Sequence, residues 1–221
     1  MKRFLSFFFF VFSLSQISAQ LFTHYGGSAG FGSSKLLGEF NEFEKSRDVQ
    51  CFSIGLVGEH HFDAPFLLTS EINFMSYGDS LLYEHSVFSN SDTVTVSKNY
   101  KNTRYYLQIP ITAGLNIPVG NDTRIFFKGG VYYASLIGSR TRGHETLING
   151  TLVSDTVIDS NSFFPYSKKE FGILAGLGYG SDSYAVEFRL SRGLSELFNQ
   201  AGALPKYNGA ILLTLSGYLP N

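Results

Sequence analysis

The sequence has no tryptophan, a single cysteine and few charges. Only 16% of its 221 residues are charged, and the net charge is −1, whereas about a quarter of the residues in an ordinary soluble domain are charged. Because Cys51 stands alone, an intramolecular disulfide and a cysteine-based metal site are both excluded. The balanced charge gives no basic surface, so we expect no nucleic acid partner.

Long apolar runs are missing after the N-terminus. The first twenty residues, MKRFLSFFFFVFSLSQISAQ, place Lys2 and Arg3 before an apolar run that ends at Leu14, with small residues near Ala19. This order predicts a signal peptide over residues 1–19 and one domain over residues 20–221. A membrane anchor is the alternative, but the apolar run is shorter than the about 20 residues that a helical span needs.

Aromatic residues and glycines are plentiful, and apolar residues recur at every second position. In RYYLQIPITAGLNI, residues 104–117, the odd positions are apolar and most even positions are polar or small. Such a two-residue period predicts a strand with one apolar face. Pro110 lies in its middle and lacks an N–H, so we expect a bulge or a broken ladder there. Eight segments qualify as strands: 23–32, 49–60, 66–77, 104–117, 123–137, 169–180, 183–193 and 207–219.

The connections between these segments alternate between short and long. HFDAP, PVGND and GSDS are tight turns, and the other four connections are long and polar. This rhythm is typical of a bacterial outer-membrane barrel, which has short periplasmic turns and long external loops. Asn149-Gly150 and the SNSD at 89–92 predict hairpins within two of the loops. The predicted fold is all-β, an eight-stranded antiparallel transmembrane β-barrel, and the external loops are expected at about 33–48, 78–101, 138–168 and 194–206.

The polar faces of the predicted strands collect acids and bases in equal number. An Arg or Lys that faces lipid at mid-bilayer costs about 2–4 kcal/mol, so these side chains are expected to point inward. Eight strands leave room for side chains but not for an aqueous channel, which predicts a structural lumen charge network. A proton or ion path is the alternative. The members are Glu59, Glu71, Arg104, Arg124, Lys128, Glu170, Glu187 and Arg189.

Tyrosines lie near both ends of the predicted strands and fit interfacial girdles. Those near the outer ends are Tyr77, Tyr105, Tyr133 and Tyr207, and those near the inner ends are Tyr179 and Tyr184.

The histidines offer little catalytic chemistry. A lipid-modifying enzyme needs a nucleophile, a base and an orienting acid near the outer leaflet, and only His85 and His144 fall in external hairpins. No such set is visible, so we predict no enzyme activity and no catalytic residue. His60 and His61 lie beside Glu59 and Asp63 and could bind a metal, but adjacent strand residues point to opposite faces. We therefore expect no metal site and no cofactor.

Four stretches carry a family resemblance: RYYLQIPI, the following GLNIPVG, FFKGGVYYASLIGS and FGILAGLGYG. They resemble the PorT-like outer-membrane β-barrel domain of Bacteroidetes. The resemblance covers residues 21–219 by strand order and implies an eight-stranded barrel of the small OmpA/OmpX type. Some members of that family serve type IX secretion or gliding. The C-terminus, GYLPN, departs from the usual terminal phenylalanine.

Localisation in the cell outer membrane follows from these expectations. The expected function is a structural or interaction role through the extracellular loops above a closed polar lumen. The expected partners are outer-membrane lipid and, as a possibility, envelope or secretion-machinery proteins. The alternatives are an accessory of a secretion or gliding machinery, an outer-membrane lipid-modifying enzyme, and a soluble periplasmic binding barrel of the lipocalin type.

Overall fold

The computed structural model describes residues 22–62, 65–89, 92–120, 122–149, 152–161, 165–198 and 204–219. The predicted signal peptide therefore lies outside the described residues. The structure contains ten strands: β1 His24–Gly38, β2 Glu44–Arg47, β3 Val49–His61, β4 Phe66–Ser89, β5 Asp92–Pro118, β6 Arg124–Asn149, β7 Leu152–Ser160, β8 Lys169–Gly180, β9 Tyr184–Gly193 and β10 Lys206–Tyr218. In the described ranges, no helix is long and apolar enough to cross a membrane.

Eight of the strands close into a ring by antiparallel pairing. The order is β1-β3-β4-β5-β6-β8-β9-β10, and β10 pairs back onto β1 with Phe31 opposite Leu213. All eight predicted strands are confirmed. Closure matters because each backbone N–H and C=O in an apolar medium needs a partner, and a ring has no free edge.

The strand faces follow the two-residue period of the sequence. On β5, Leu107, Ile109 and Ile111 are exposed on the outside of the ring. Arg104, Gln108 and Thr112 alternate with them and are buried inside. The outward apolar positions form a continuous band around the ring, and the polar side chains fill the interior. This arrangement is the reverse of a soluble barrel.

Pro110 interrupts one ladder, as predicted. The pairing of β4 with β5 runs to Ser70 opposite Ile111 and resumes at Asn73 opposite Gln108, so Glu71 and Ile72 have no registered partner there. On its other side Pro110 stays in register with Tyr132 of β6. The missing N–H is therefore accommodated by a local break on one side of the strand.

Three of the predicted external loops are largely strand. β4 and β5 continue as a hairpin up to Ser89 opposite Asp92, and β6 pairs with β7 up to Asn149 opposite Leu152. Both hairpin predictions are confirmed by these flanking pairs, although the turn residues 90–91 and 150–151 lie outside the described part. Within the predicted loop 33–48, β1 runs on to Gly38 and β2 pairs with β4. Gly38 ends β1 with a φ of 128°, which only glycine adopts readily.

Candidate functional site

The barrel interior holds all eight residues of the predicted lumen charge network. Each of these side chains is buried, and Arg104 is completely inaccessible. They come from β3, β4, β5, β6, β8 and β9, because the inward positions of each strand bring one or two charged side chains to the axis. The contacts divide the network into separate groups along the barrel.

The middle of the lumen contains a group of four charges. Arg189 donates to both oxygens of Glu71, at 2.6 and 2.9 Å, and to both oxygens of Glu187, at 3.0 Å each. Lys128 Nζ lies 2.8 Å from Glu187 and 3.7 Å from Glu71. Asn73 adds a donor to Glu71 at 2.7 Å. Two acids and two bases cancel in charge, and bidentate arginine pairs are among the strongest charge-assisted contacts in proteins.

Glycines on β8 make room for this group. A Cβ atom on Gly176 would lie 2.2 Å from Glu187 Oε1, and one on Gly172 would lie 2.3 Å from the Tyr132 ring. Neither distance can accommodate a side chain. The small residues of β8 therefore allow the long charged and aromatic side chains of the neighbouring strands to cross the axis.

Arg104 pairs with a residue that the sequence analysis placed in an external loop. Its guanidinium forms a salt bridge with Asp79 and donates to Asn208 at 2.9 Å. Asn102 also donates to Asp79 at 2.8 Å. Asp79 is fully buried, so the assignment of residues 78–101 to an exposed loop was wrong at this position. β4 continues through the predicted loop, and odd-numbered residues stay on its inner face.

Glu170 is held by neutral donors and lies near three buried tyrosines. Tyr132 donates its hydroxyl to Glu170 at 2.6 Å, and Asn208 donates to the other oxygen. Tyr77 accepts from Gln108 at 3.1 Å and packs edge-on against Tyr106. Tyr77 was predicted to sit in an outer girdle, and this was wrong. It follows Thr69, Glu71 and Asn73 at two-residue steps and so faces inward.

The extracellular end of the lumen is covered by a further ion pair and by aromatic rings. Lys206 forms a buried salt bridge with Glu44 and lies over the rings of Phe40 and Phe198. Phe198 stacks on Tyr166 at 5.5 Å between ring centroids. Leu36, Leu81 and Leu197 pack beneath these rings. Sequence periodicity missed this layer because Glu44 belongs to β2, a strand of four residues inside a polar stretch.

The periplasmic end of the lumen carries Glu59 and Arg124. Arg124 donates to Glu59 at 3.3 Å and to Asp182, in the turn between β8 and β9, at 2.8 Å. His61 lies 3.2 Å from Glu59, and the ring of His24 lies 4.5 Å from the ring of His61. The sequence places His61 beside His60 as a possible metal pair, but the His60 ring packs against Phe62 instead.

Tyr105 marks the boundary between two parts of the outward surface of the barrel. Below it, β5 exposes the apolar residues of the band. Above it, β4, β5, β6 and β7 form a polar sheet, which we call the extracellular sheet, and β2 joins it at the β4 edge. Tyr105 stacks on Phe74 at 5.7 Å at the boundary. Two further tyrosines of the predicted girdles, Tyr179 and Tyr184, are exposed near the periplasmic end.

Ion pairs connect the strands of the extracellular sheet. Lys98 of β5 donates to Glu145 of β6 at 2.9 Å, and Tyr100 donates to the same carboxylate. The Tyr100 hydroxyl and Lys98 hold the pKa of Glu145 below its usual range. Arg140 of β6 binds Asp159 of β7 through two bonds of 2.8 and 2.7 Å, and these bonds lower the pKa of Asp159.

The two external histidines gain no catalytic role from the structure. His144 is exposed on the extracellular sheet, opposite Asn99. His85 belongs to β4, opposite Val96, and its side chain lies outside the described part. The described residues form a filled interior and an external sheet.

Comparisons with known proteins agree with this architecture. The sequence profile described as outer membrane protein beta-barrel domain matches residues 14–199. No curated protein is significantly similar to the chain.

Among solved structures, the chain is similar to Ail, the attachment invasion locus protein of Yersinia pestis, with 11% identity and a TM-score of 0.40 over 89% of this chain and 98% of that one. It is also similar to Neisserial surface protein A, with 9% identity and a TM-score of 0.41 over 88% of this chain and 97% of that one.

Proposed function

The chain belongs to the outer membrane protein beta-barrel domain family, and on that premise we propose that it is a structural or interaction protein of the outer membrane. In this proposal the barrel is an anchor with a closed polar lumen. The extracellular sheet is the part that meets partners at the cell surface. No catalytic role and no cofactor belong to the proposal.

The length of the strands carries this proposal. The exposed apolar residues of β5 run from Leu107 to Ile117, about 33 Å along a strand, which a tilt near 40° reduces to the roughly 25 Å of an apolar membrane band. Residues 92–106 of the same strand continue for roughly 45 Å beyond it. Strand material of that length is not needed to cross the membrane, so it is available for contacts outside.

The extracellular sheet is ordered by its own contacts. The Lys98–Glu145 and Arg140–Asp159 pairs join three adjacent strands. In the part of the chain that the structure describes, β7 pairs with β6 alone. A strand with one unpaired edge presents N–H and C=O groups to which an extended segment of a partner can add. We therefore assign partner contact to this edge and to the adjoining outward face.

A row of cations on the outward face fits outer-membrane lipid as a partner. The pairing register places Arg47, Ser80, Lys101 and Arg142 in one line across β2, β4, β5 and β6. Lys101 directly opposite Arg142 is an unfavourable like-charge pair, and Asp159 lies 3.6 Å from Arg142. At a strand tilt near 40°, the row lies about 10 Å higher than Tyr105. Phosphate groups of the outer leaflet supply the missing negative charge in this proposal.

The experiment removes the β6–β7 hairpin, and with it the β7 edge, and keeps the barrel. A variant that lacks residues 143–158 and joins Arg142 to Asp159 through Asn-Gly preserves the register, since these two residues lie opposite each other. We expect heat-modifiable folding in the outer membrane, but loss of the partners that cross-link to the wild type on intact cells. Asp122→Asn changes an exposed residue in the β5–β6 turn at the opposite rim and serves as the control. Identical cross-linked partners in both variants contradict the proposal.

The resemblance to PorT-like barrels favours one second candidate, an accessory of a secretion or gliding machinery. The same cross-linking experiment separates the two candidates. Recovery of secretion components with the wild type supports the accessory role, and their absence removes it. A lipid-modifying enzyme is the third candidate. It requires that deletion of the gene change envelope lipid and that a His144→Gln variant fail to restore the lipid.

A further inference from the structure

Three potential metal ligands converge at the periplasmic mouth of the barrel. They are His24 at the start of β1, His61 at the end of β3, and Asp182 in the turn between β8 and β9. One ligand atom from each lies within 4.8 Å of the others. Pairing of β1 with β3 brings the two histidines together, and the β8–β9 turn reaches them across the mouth of the closed barrel.

Thr23 lies against one ring nitrogen of His24. The Thr23 hydroxyl donates to the Glu59 carbonyl at 3.1 Å and accepts the His61 backbone N–H at 3.0 Å. With its proton on that carbonyl, the hydroxyl accepts from His24 Nδ1 at 3.1 Å. In this tautomer of neutral His24 the lone pair is on Nε2.

The lone pair of His24 faces a carboxylate. His24 Nε2 lies 3.5 Å from Asp182 Oδ1. Two electron-rich atoms at this distance repel each other unless a cation lies between them. A proton on Nε2 is one such cation, and a metal ion is the other.

His61 has a second-shell partner of the kind that metal-binding histidines have. Its Nε2 lies 3.2 Å from Glu59 Oε2, and the carboxylate of Glu59, which also accepts from Arg124, can only accept. Nε2 is then the protonated nitrogen, and Nδ1 carries the lone pair. Histidine ligands of metals usually donate their other N–H to a carboxylate, carbonyl or similar acceptor, which fixes the ring.

The local charge and the exposure of the Asp182 side chain also favour a cation. Asp182 and Glu59 contribute two negative charges, and Arg124 contributes one positive charge. The remaining charge around the two neutral rings is −1. Arg124 Nη1 occupies one side of Asp182 Oδ1 at 2.8 Å, but the Asp182 side chain is 74% exposed and can turn its second oxygen toward the rings.

We propose that His24, His61 and Asp182 bind one divalent first-row transition ion, with Zn²⁺ as the best-fitting member of the class. Two imidazoles and a carboxylate are ligands that suit Zn²⁺, which often binds three protein groups and leaves a fourth position to water. Ligand atoms around tetrahedral zinc lie about 3.3 Å apart, so the present spacing closes with a small movement of the exposed turn. The ion then ties the β8–β9 turn to β1 and β3 across the periplasmic mouth.

The test uses the folded, tag-free barrel in detergent after a chelator has removed bound metal. This protein is titrated with ZnCl₂, and the heat of binding is measured by calorimetry. The expected result is one Zn²⁺ per chain, with no heat from MgCl₂. Asp182→Asn and His61→Gln should each weaken binding at least tenfold. Thr23→Val keeps all three ligands and should still weaken it tenfold or more, because second-shell partners contribute 10–100-fold. His60→Gln is the matched control and should bind as the wild type does.

Asp182→Asn is the deciding variant, because the Asp182 side chain is 74% exposed in a turn. Zn²⁺ should raise the thermal midpoint of the wild type and leave that of Asp182→Asn unchanged, as expected for a ligand that binds only the folded site. Absence of saturable Zn²⁺ binding by the wild type would overturn the proposal. Equal affinity in wild type and Asp182→Asn would also overturn it.

Discussion

Arg189 illustrates how a single side chain fills the middle of the barrel. It bonds Glu71 and Glu187 together, and Lys128 completes the neutral group. Removing one partner of such a group leaves a buried acid without its counter-charge. The lumen therefore tolerates long charged residues only as a matched set.

Replacement of Arg189 by leucine should lower the free energy of unfolding by roughly 3–5 kcal/mol, as for other broken buried ion pairs. Arg192→Leu is the control, because Arg192 lies on the same strand and is exposed. Urea unfolding in detergent, followed by circular dichroism since the chain has no tryptophan, measures both. Equal losses would mean that the lumen pairs do not stabilise the barrel.

Glu145 should titrate below its usual pKa of 4.5, because the Tyr100 hydroxyl and Lys98 stabilise the carboxylate. A lowered pKa in the folded state means that this contribution to stability is present above pH 4.5 and is lost as the pH falls through the folded value. Carboxyl NMR shifts recorded from pH 7 to pH 2 measure the midpoint. Tyr100→Phe should move the midpoint upward, and an unchanged midpoint would contradict the assignment.

Residue-level prediction from sequence worked where the period was clear. The two-residue alternation identified eight inward charges, and the structure buries each of them. It did not identify Asp79, because the strand was taken to end at residue 77. It also did not pair His24 with His61, because their contact depends on the register of β1 with β3, which one sequence does not contain.

At the scale of the strand, β5 has two environments on one outward face. Ile111 is 52% exposed in the apolar band, and Asn99 is exposed twelve residues nearer the start of the strand, in the extracellular sheet. The strand therefore crosses from lipid to water with one pleat, although its pairing with β4 breaks at Pro110 and its register with β6 shifts between Tyr105 and Tyr106.

Ile111→Arg should impair membrane assembly, while Asn99→Arg should not. The cost of an outward arginine is about 2–4 kcal/mol at mid-bilayer and falls toward zero beyond the interface. The fraction of heat-modifiable protein in the outer membrane measures assembly. Thr112 is not a clean comparison, because its side chain is 1% exposed and arginine there would overfill the lumen. Equal assembly of Ile111→Arg and Asn99→Arg would contradict the assigned lipid band.

Element-level prediction was correct for the eight ring strands and incomplete above them. Tight turns with Gly, Pro, Asn and Asp marked the periplasmic ends well. The long connections were read as loops because their alternation is polar on both faces, as in Lys98, Asn99 and Tyr100. A strand surrounded by water on one face and by polar neighbours on the other gives no hydrophobic period to detect.

At the scale of the whole molecule, the ring is closed along its length by side chains. The Glu59–Arg124 pair, the four central charges, the tyrosine layer and the Lys206–Glu44 pair follow one another from the periplasmic to the extracellular end. An eight-stranded ring is just wide enough for its own side chains. The described interior is therefore a packed polar core, and a closed lumen is the expectation that follows from it.

Purified protein in planar lipid bilayers should give no stepwise conductance. The physical reason is that the four central side chains occupy the middle of an eight-stranded lumen, which is just wide enough for its own side chains. Current recordings at moderate voltage measure this directly, and a wide porin in the same membrane serves as the positive control. Reproducible single-channel steps that disappear in Lys128→Met would show that the charged lumen conducts ions.

The central claim is that the extracellular sheet lies outside the cell and the opposite rim faces the periplasm. Single-cysteine labelling on intact cells with a membrane-impermeant maleimide tests it most directly. Native Cys51 is buried in the lumen and should give no background. We predict that Asn99→Cys is labelled on intact cells and that Asp182→Cys is labelled only after the outer membrane is opened. Labelling of Asp182→Cys, but not of Asn99→Cys, on intact cells would contradict the account.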